Sequence, residues 1–426
     1  MSVRLLGAKK TFWMGKSDDT PLLTRWENLA PMSLRVWAVE PHLGGSHRAF
    51  LEGLAQYSGH RFRVFGLPGR HWKWRMQGGA LSLASQVQRH AAKVGVTGHP
   101  QVFFVSDMLD LPTFLAALDP GLRNTATILY FHENQLSYPL PPGVERDLTY
   151  GFRNLVSAWA ADRVLFNSHF HLGEFFSAAR DLLDKIPDEK LLWLLEEVKE
   201  KSGVLPLGCD LRRLDQYRTQ GWRDAQVGRW GDPALGPLVV WNQRWGYDKA
   251  PEVLFAALRE AKAMGFRFRL AVAGKEGPGA NQRELFLRAR EQLGDTVVHW
   301  GEIKQESDYA SLLWAGDVVV STAVHEFFGM AVVEAIYCGC RPVLPRRLSY
   351  PELVPEEVHD RVLYDEGELV PALLRAVANP KEWSCEWQRT WVARYDWGSI
   401  RRHYDDEIVK VWQKRGQYLG TIAYRH

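Results

Sequence analysis

The chain has 426 residues, long for a single hydrophobic core, so two domains of roughly 150 to 200 residues each are expected. Lys and Arg total 53 against 50 Asp and Glu, and the net charge of +3 is too small to mark a nucleic-acid binder by itself. No run of about twenty apolar residues occurs, which excludes a membrane-spanning helix, and Lys9, Lys10, Lys16, Asp18 and Asp19 break up the first thirty residues, against a signal peptide.

After a polar leader, residues 1–33, Leu34 to Val39 reads as a short buried strand; the turn "EPHLGGSHRAF" follows and a helical pattern runs from Ala49 to Tyr57. Strand, glycine loop and helix open an α/β unit, and the order recurs. "RFRVFGLP" precedes helix 80–93, "QVFFVSD" precedes 111–118, "ATILYFHEN" precedes 147–160, and "DRVLFNS" leads into 169–178. Five short apolar strands alternating with helices predict one doubly wound parallel sheet. Residues 179–202 read as an amphipathic charged helix or helical pair. A second alternation then runs through "PLVVWNQRW", helix 250–264, "RFRLAVAGKEG", helix 281–293, "TVVHWGEI", helix 305–315, "DVVVSTAV", helix 330–338 and "RPVLP". The predicted division is a leader at 1–33, a first domain at 34–210, a Gly- and Pro-rich linker at 211–235, a second domain at 236–395 and two helical stretches at 396–426. Cys209, Cys338, Cys340 and Cys385 lack the C-x-x-C spacing of a zinc site and read as structural thiols of a reducing, cytoplasmic compartment. The 18 tryptophans call for aromatic-rich packing or a stacking surface.

The fold class is thus α/β, two Rossmann-like domains whose strand-end loops face one cleft, with room for a nucleotide on one side and a second substrate on the other. In "WNQRWGYDKAPE", Arg244 and Lys249 lie between a strand and its helix, where cations clamp an anion such as a diphosphate; read singly they are two solvated surface charges. In "HEFFGMAVVEA" a helix is predicted to begin near Gly329, so the N–H groups of Gly329 and Met330 are available to a phosphate or sugar oxygen. Glu326 precedes that helix and Glu334 lies inside it; both suit sugar hydroxyls, and the plain alternative is a helix-start acid plus an exposed-face acid.

In the first domain, Gly44 and Gly45 allow close backbone approach, and Ser46 and His47 sit at a helix start. His132 ends a strand beside Glu133, Asn134 and Gln135; it is placed to orient an acceptor or act as base, against the default of a structural histidine. Residues 60–75 carry Arg61, Arg63, Arg70, Lys73 and Arg75 with no acid, interleaved with Phe62, Phe65, Trp72 and Trp74. Such a mixture suits a phosphate backbone with unstacked bases, although Phe62 and Phe65 belong to the buried strand, which leaves 69–75 as contact surface or as a basic loop tied down by tryptophan. No D-x-D occurs, against a metal-held diphosphate; no metal and no cofactor are expected.

The pattern E-x7-E with its internal "FG", the upstream Arg244 and Lys249, "AVAGKEG", "VLPLGCD" and "RYDW" together resemble the retaining GT-B glycosyltransferases of family four, over the chain from about residue 34 onward. The resemblance implies a GT-B fold whose last helix crosses back to the first domain. It implies that Arg244 and Lys249 hold the donor diphosphate, that Glu334 holds the ribose and that Glu326 approaches the transferred sugar. Gly274, Ile303, Gly329 and Met330 complete the donor set. "AVEPHLGGSHRAF", "LPGRHWKWRMQGGALSLA", "YFHENQLSYP" and "FNSHFH" are similar to the queuosine-tRNA mannosyltransferase family. That likeness implies GDP-mannose as donor substrate and the cyclopentenediol of queuosine, at the wobble position of tRNA(Asp), as acceptor. Gly44, Gly45, Ser46, His47, Arg70, Trp72, Lys73, Trp74, Arg75, Asn134 and Gln135 then fall on the acceptor side, and His132 and Glu326 at the reacting centre. Three rivals are a saccharide or lipid acceptor, which needs a membrane-facing patch at 179–200, a non-catalytic RNA-binding protein, which predicts loss of the donor residues, and a sugar-nucleotide epimerase.

Overall fold

The computed structural model describes residues 33–140, 143–218, 228–277 and 280–423. The expected leader therefore lies outside the described residues except for Ser33, as does the middle of the expected linker, 219–227.

Two parallel sheets form. The first has β1 (Arg35–Leu43), β2 (Arg61–Pro68), β3 (Val102–Ser106), β4 (Ala126–Phe131), β5 (Arg163–Phe166) and β6 (Ser202–Val204) in the order β2-β1-β3-β4-β5-β6. The second has β7 (Leu238–Trp241), β8 (Arg269–Val272), β9 (Val297–Trp300), β10 (Val318–Val320), β11 (Arg341–Pro345) and β12 (Leu363–Tyr364) in the order β12-β11-β10-β7-β8-β9. Their strands are near-continuous Val, Leu and Phe runs because helices cover both faces, and β3, β4, β7 and β8 are buried along their whole length. The strand order reverses between β1 and β3 in one sheet and between β7 and β10 in the other; crevices at such points hold ligands.

Five strands per sheet match the reading of the sequence, and a sixth was missed in each. β6 and β12 have three and two residues, too short to show a period. The helix after β2 runs Trp72–Val94 rather than 80–93, so Trp72 to Arg75 form its first turn and not a loop; the Gly78-Gly79 pair had broken the apolar pattern. Helix His169–Asp184 outruns its expected end, and Trp193–Glu200 is separate. Leu194, Leu195 and Val198 of the latter are buried in the core beside the first sheet, so its apolar face is covered. Among the described residues no helix is long and apolar enough to cross a membrane.

The C-terminal segment is a single helix, Trp397–Ala423, not two. Its buried residues Trp397, Ile400, Tyr404, Ile408 and Val411 keep helical spacing and join one core cluster with residues of both sheets. Acids of this helix are tied to the first domain: Asp405 accepts from Ser58 Oγ and the Gly59 N–H, and Glu407 pairs with Arg163 at 2.7 Å. Tyr404 donates to Pro206 O at 2.7 Å, and Trp397 lies so close to helix Gly45–Tyr57 that a Cβ on Gly53 would stand 2.1 Å from its indole nitrogen. The helix crosses back onto the first sheet by this contact.

Gly53→Ala is therefore predicted to lose about 1–3 kcal/mol of unfolding free energy in urea titration, because packed aromatic rings resist overfilling. Gly121→Ala, where nothing lies within 4 Å, is the control and stays within about 0.5 kcal/mol of the parent. Equal effects at the two positions would contradict the assigned packing.

Candidate functional site

The loop after β7 carries both cations singled out in the sequence. Arg244 Nη2 donates to Asp248 Oδ1 and Oδ2 at 2.9 and 3.0 Å and reaches Tyr138 Oη at 3.4 Å. Lys249 Nζ donates to His325 O at 2.9 Å and Glu326 Oε2 at 3.1 Å, with Asp248 Oδ2 at 3.3 Å. Lys249 is nearly buried, its side chain 12 % exposed, so an anion entering here meets a cation with little competing water. Ala250, next in the chain, has φ 43° ahead of Pro251, a left-handed conformation that alanine rarely adopts. Thr322 Oγ1 holds the turn by donating to the carbonyls of Lys249 and Ala250 at 2.8 and 3.0 Å.

Facing this loop, Gly329 takes φ 96°, turns the chain and starts helix Met330–Tyr337. A Cβ there would also crowd Leu353 and Tyr350, each at 3.3 Å. The first N–H groups of a helix have no internal acceptor, which makes this end an anion site on the cleft. Glu326 and Met330 line the same cavity as Arg244, Lys249 and Gly329. Glu334 is buried, not on an exposed face: Oε1 accepts from Arg213 Nη2 at 2.6 Å and Oε2 from Tyr309 Oη at 2.8 Å. Those bonds use two of roughly four lone-pair directions, leaving the carboxylate able to accept from a diol. Gly274 lies outside the cavity lining; its Cα backs onto Gln243 O, where a Cβ would come within 1.8 Å, so it lets the Arg244 loop sit down. Ile303 is half-buried against the core and also outside that lining.

On the opposite wall, Glu40 within β1 is fully buried and its Oε2 meets His47 Nδ1 at 2.9 Å. The His47 ring packs on His132, with centroids 4.2 Å apart. Burial alone would lower the His47 pKa, but the Glu40 carboxylate raises it to about 9. Burial, with the His47 charge, drives His132 well below its usual range. A charged and a neutral imidazole thus stand side by side at neutral pH. Asp107 Oδ1 accepts from the His132 backbone N–H at 2.9 Å, and burial lifts its carboxyl to about 7. His132 Nδ1, Asn134 Nδ2 and Asp107 Oδ2 are buried without partners among the described residues. Glu40, His47 and His132 place one potential ligand atom each within 4.8 Å of one another, but here the first two are spent on each other.

Ser46 lines the cavity with His132, while Gly44 and Gly45 form the turn beside it. Gly44 packs backbone to backbone on Gly69, where a Cβ would lie 2.8 Å from Gly44 Cα, and Arg70, Trp72, Lys73, Trp74 and Arg75 follow in the chain, outside the cavity lining. Trp74 is 64 % exposed, and Trp72 leans on Tyr150 at 5.2 Å, with Lys73 Nζ 5.7 Å from its ring. Asn134 Oδ1 is used locally, on the N–H groups of Leu136 and Ser137, and the Gln135 carbonyl accepts from Arg146 at 2.9 Å. Neither residue lines the cavity. Asp248, Arg213, Tyr309 and Glu40 were missed from sequence. Asp248 stands four residues after Arg244 and Glu40 interrupts an apolar strand, signals that could have found them; Arg213 and Tyr309 carry none, because they reach Glu334 from 121 and 25 residues away.

The two halves meet through Ser168 Oγ donating to Phe327 O at 2.6 Å, His171 stacked on Phe327 at 3.7 Å, and Glu352 accepting from the His169 and Phe170 N–H groups at 2.9 and 2.7 Å. Burial takes His325, beside Lys249 and Tyr138, down to about 4, so its imidazole is neutral at neutral pH.

Residues 35–209 match the family described as tRNA-queuosine alpha-mannosyltransferase N-terminal, and residues 230–384 match glycosyl transferases group 1. The chain is 34 % identical over 321 residues to a tRNA-queuosine alpha-mannosyltransferase of Drosophila melanogaster, covering 75 % of this chain and 81 % of that one. It is 31 % identical over 155 residues to a GDP-mannose-dependent alpha-(1-6)-phosphatidylinositol dimannoside mannosyltransferase of Mycobacterium tuberculosis, covering 35 % and 37 %. Solved structures of like fold include a sucrose-phosphate synthase from Thermosynechococcus elongatus (TM-score 0.58, 17 % identity, 92 % of this chain and 100 % of that one). Another is the catalytic domain of starch synthase IV from Arabidopsis thaliana, bound to ADP and acarbose (TM-score 0.61, 12 % identity, 90 % and 100 %).

The Glu40–His47 pair predicts a pH signature. His47 has a raised pKa in the fold, so its contribution to stability is complete below its ordinary value of 6.5 and is lost as pH rises through about 9. Thermal melting should place the parent well above His47→Gln at pH 6, with the gap closing by pH 10. A gap that stays constant across this range would contradict a charged His47.

Proposed function

The chain belongs to the tRNA-queuosine alpha-mannosyltransferase family and is a GT-B glycosyltransferase; we propose that it moves mannose from GDP-mannose to the cyclopentenediol of queuosine in the anticodon of tRNA(Asp), with retention. The observation that carries the acceptor side is the likeness of residues 35–209, the half that contributes His47 and His132 to the cleft. A group 1 glycosyltransferase half alone would leave the acceptor open.

The reading assigns each wall a task. Arg244, Lys249 and the start of helix Met330–Tyr337 hold the donor diphosphate and stabilise the charge that grows on it as its bond to the anomeric carbon breaks. These groups supply the positive charge from the protein itself, without a cofactor. Glu334, oriented by Arg213 and Tyr309, accepts from the ribose diol. Glu326, tethered to Lys249, is next to the sugar. The acceptor oxygen bonds to the anomeric carbon on the face the diphosphate leaves, and the neutral imidazole of His132 orients the hydroxyl and receives its proton. Gly44 to His47 contact the acceptor, and the rim of Arg70, Trp72, Lys73, Trp74 and Arg75 takes the RNA backbone and unstacked loop bases. Asn134 and Gln135 shape the loop behind His132. The substrates are a tRNA and a sugar nucleotide, and a cytoplasmic setting follows from that chemistry.

Incubation with queuosine-containing tRNA and a panel of nucleotide sugars, followed by digestion to nucleosides, should show one hexose added to queuosine, with GDP-mannose the best donor. No mass gain with any donor would overturn the acceptor assignment. Arg244→Ala and Glu334→Ala should each cut turnover by about 10²- to 10³-fold and weaken GDP binding, the scale of losing one electrostatic contact in a dry site. Unchanged kinetics would remove the donor assignment.

A further inference from the structure

One carboxylate in the cleft has no task in the account above. Glu133 follows His132 at the end of β4 and lines a cavity of 240 Å³ together with Ser46, Tyr138, Arg244 and Lys249. The other charges at this cavity are paired: Arg244 with Asp248 at 2.9 Å, Lys249 with Glu326 at 3.1 Å, and, behind His132, His47 with Glu40 at 2.9 Å. Among the described residues no hydrogen bond or ion pair is made by the Glu133 carboxylate; His47, Arg244 and Lys249 act on it only through space, and Asp248 opposes them. Burial raises its pKa. A half-buried carboxylate without a partner is disfavoured, and a bound cation would relieve that cost.

A second observation points to a ligand at the same place. His132, which lines the same cavity, is 7 % exposed, yet its Nδ1 has no partner among the described residues. Two consecutive residues at one strand end therefore offer unused polar groups to one cavity. We propose that Glu133 is the subsite for a protonated amine that the acceptor carries close to the hydroxyl receiving the sugar. The proposal rests on the queuosine reading, since the cyclopentenediol of that base is attached through a secondary amine, a group protonated near neutral pH. Nucleotide sugars carry no cation, which assigns the carboxylate to the acceptor and not to the donor. With His132 on the hydroxyl and Glu133 on the ammonium, the two neighbouring residues hold the acceptor at two neighbouring points, and an acceptor with the diol alone is disfavoured.

The test pairs the parent and Glu133→Gln with two acceptors, a queuosine-containing anticodon stem-loop RNA and the same RNA after acetylation of the amine. Transfer gives kcat/KM, and calorimetry in the presence of GDP reads RNA binding independently of turnover. Acetylation should cost the parent about 10- to 100-fold, the scale of one charge-assisted hydrogen bond, and should cost Glu133→Gln less than about threefold, with GDP affinity the same in both proteins. Equal acetylation penalties in the two proteins would overturn the subsite while leaving the transferase reading intact. Weaker GDP binding by Glu133→Gln would also overturn it, placing the carboxylate on the donor side or in the seam. Amine-dependent RNA binding through Glu133 without sugar transfer would sustain the subsite and sink the transfer reading; neither binding nor transfer would sink both.

Discussion

Asp248 is the residue on which the arrangement of the cleft depends. Its carboxylate is buried and takes Arg244 at 2.9 and 3.0 Å with Lys249 at 3.3 Å, while its carbonyl accepts the Val324 and His325 N–H groups at 2.9 and 3.3 Å. One residue thereby ties the loop after β7 to the loop after β10, the two sides of a point where strand order reverses. Without that carboxylate two cations close together in a low dielectric would repel each other and the chain ends around them. With it, and with Glu326 pairing Lys249 at 3.1 Å, both cations are balanced and held in place before any anion enters. A diphosphate entering between them exchanges contacts already formed for stronger ones, and little has to be reorganised.

The opposite wall solves a related problem with different chemistry. Glu40, fully buried, fixes the charge on His47, and the charge on His47 in turn helps keep His132 neutral. The proposed role of His132 as base requires it to be unprotonated before the acceptor arrives, and burial together with the His47 charge keeps it so. The C-terminal helix joins the walls, since Trp397, Tyr404 and Ile408 are buried in a cluster that includes residues of both sheets.

Much of this was legible in the sequence. The parallel sheets followed from apolar runs alternating with helices, and the placement of Arg244, Lys249, Glu326 and Gly329 at strand and helix ends followed from motif spacing. What stayed hidden was contact across long separations. Nothing in the neighbourhood of Glu334 says that Arg213 from the inter-sheet segment will meet it, and the plain alternative to a sugar-binding role left that carboxylate on an exposed face. The first turn at Trp72 was hidden for a local reason, the glycine pair that follows it. Trp72 and Trp74 show how weakly composition predicts placement, for Trp241 and Trp397 are fully buried while these two are exposed.

The account centres on the donor half, and a crystal structure of the protein with GDP tests it most directly. It predicts the diphosphate between Arg244, Lys249 and the N–H groups at the start of helix Met330–Tyr337, with the ribose diol on Glu334. A diphosphate bound elsewhere in the cleft, or a ribose that leaves Glu334 untouched, would contradict it.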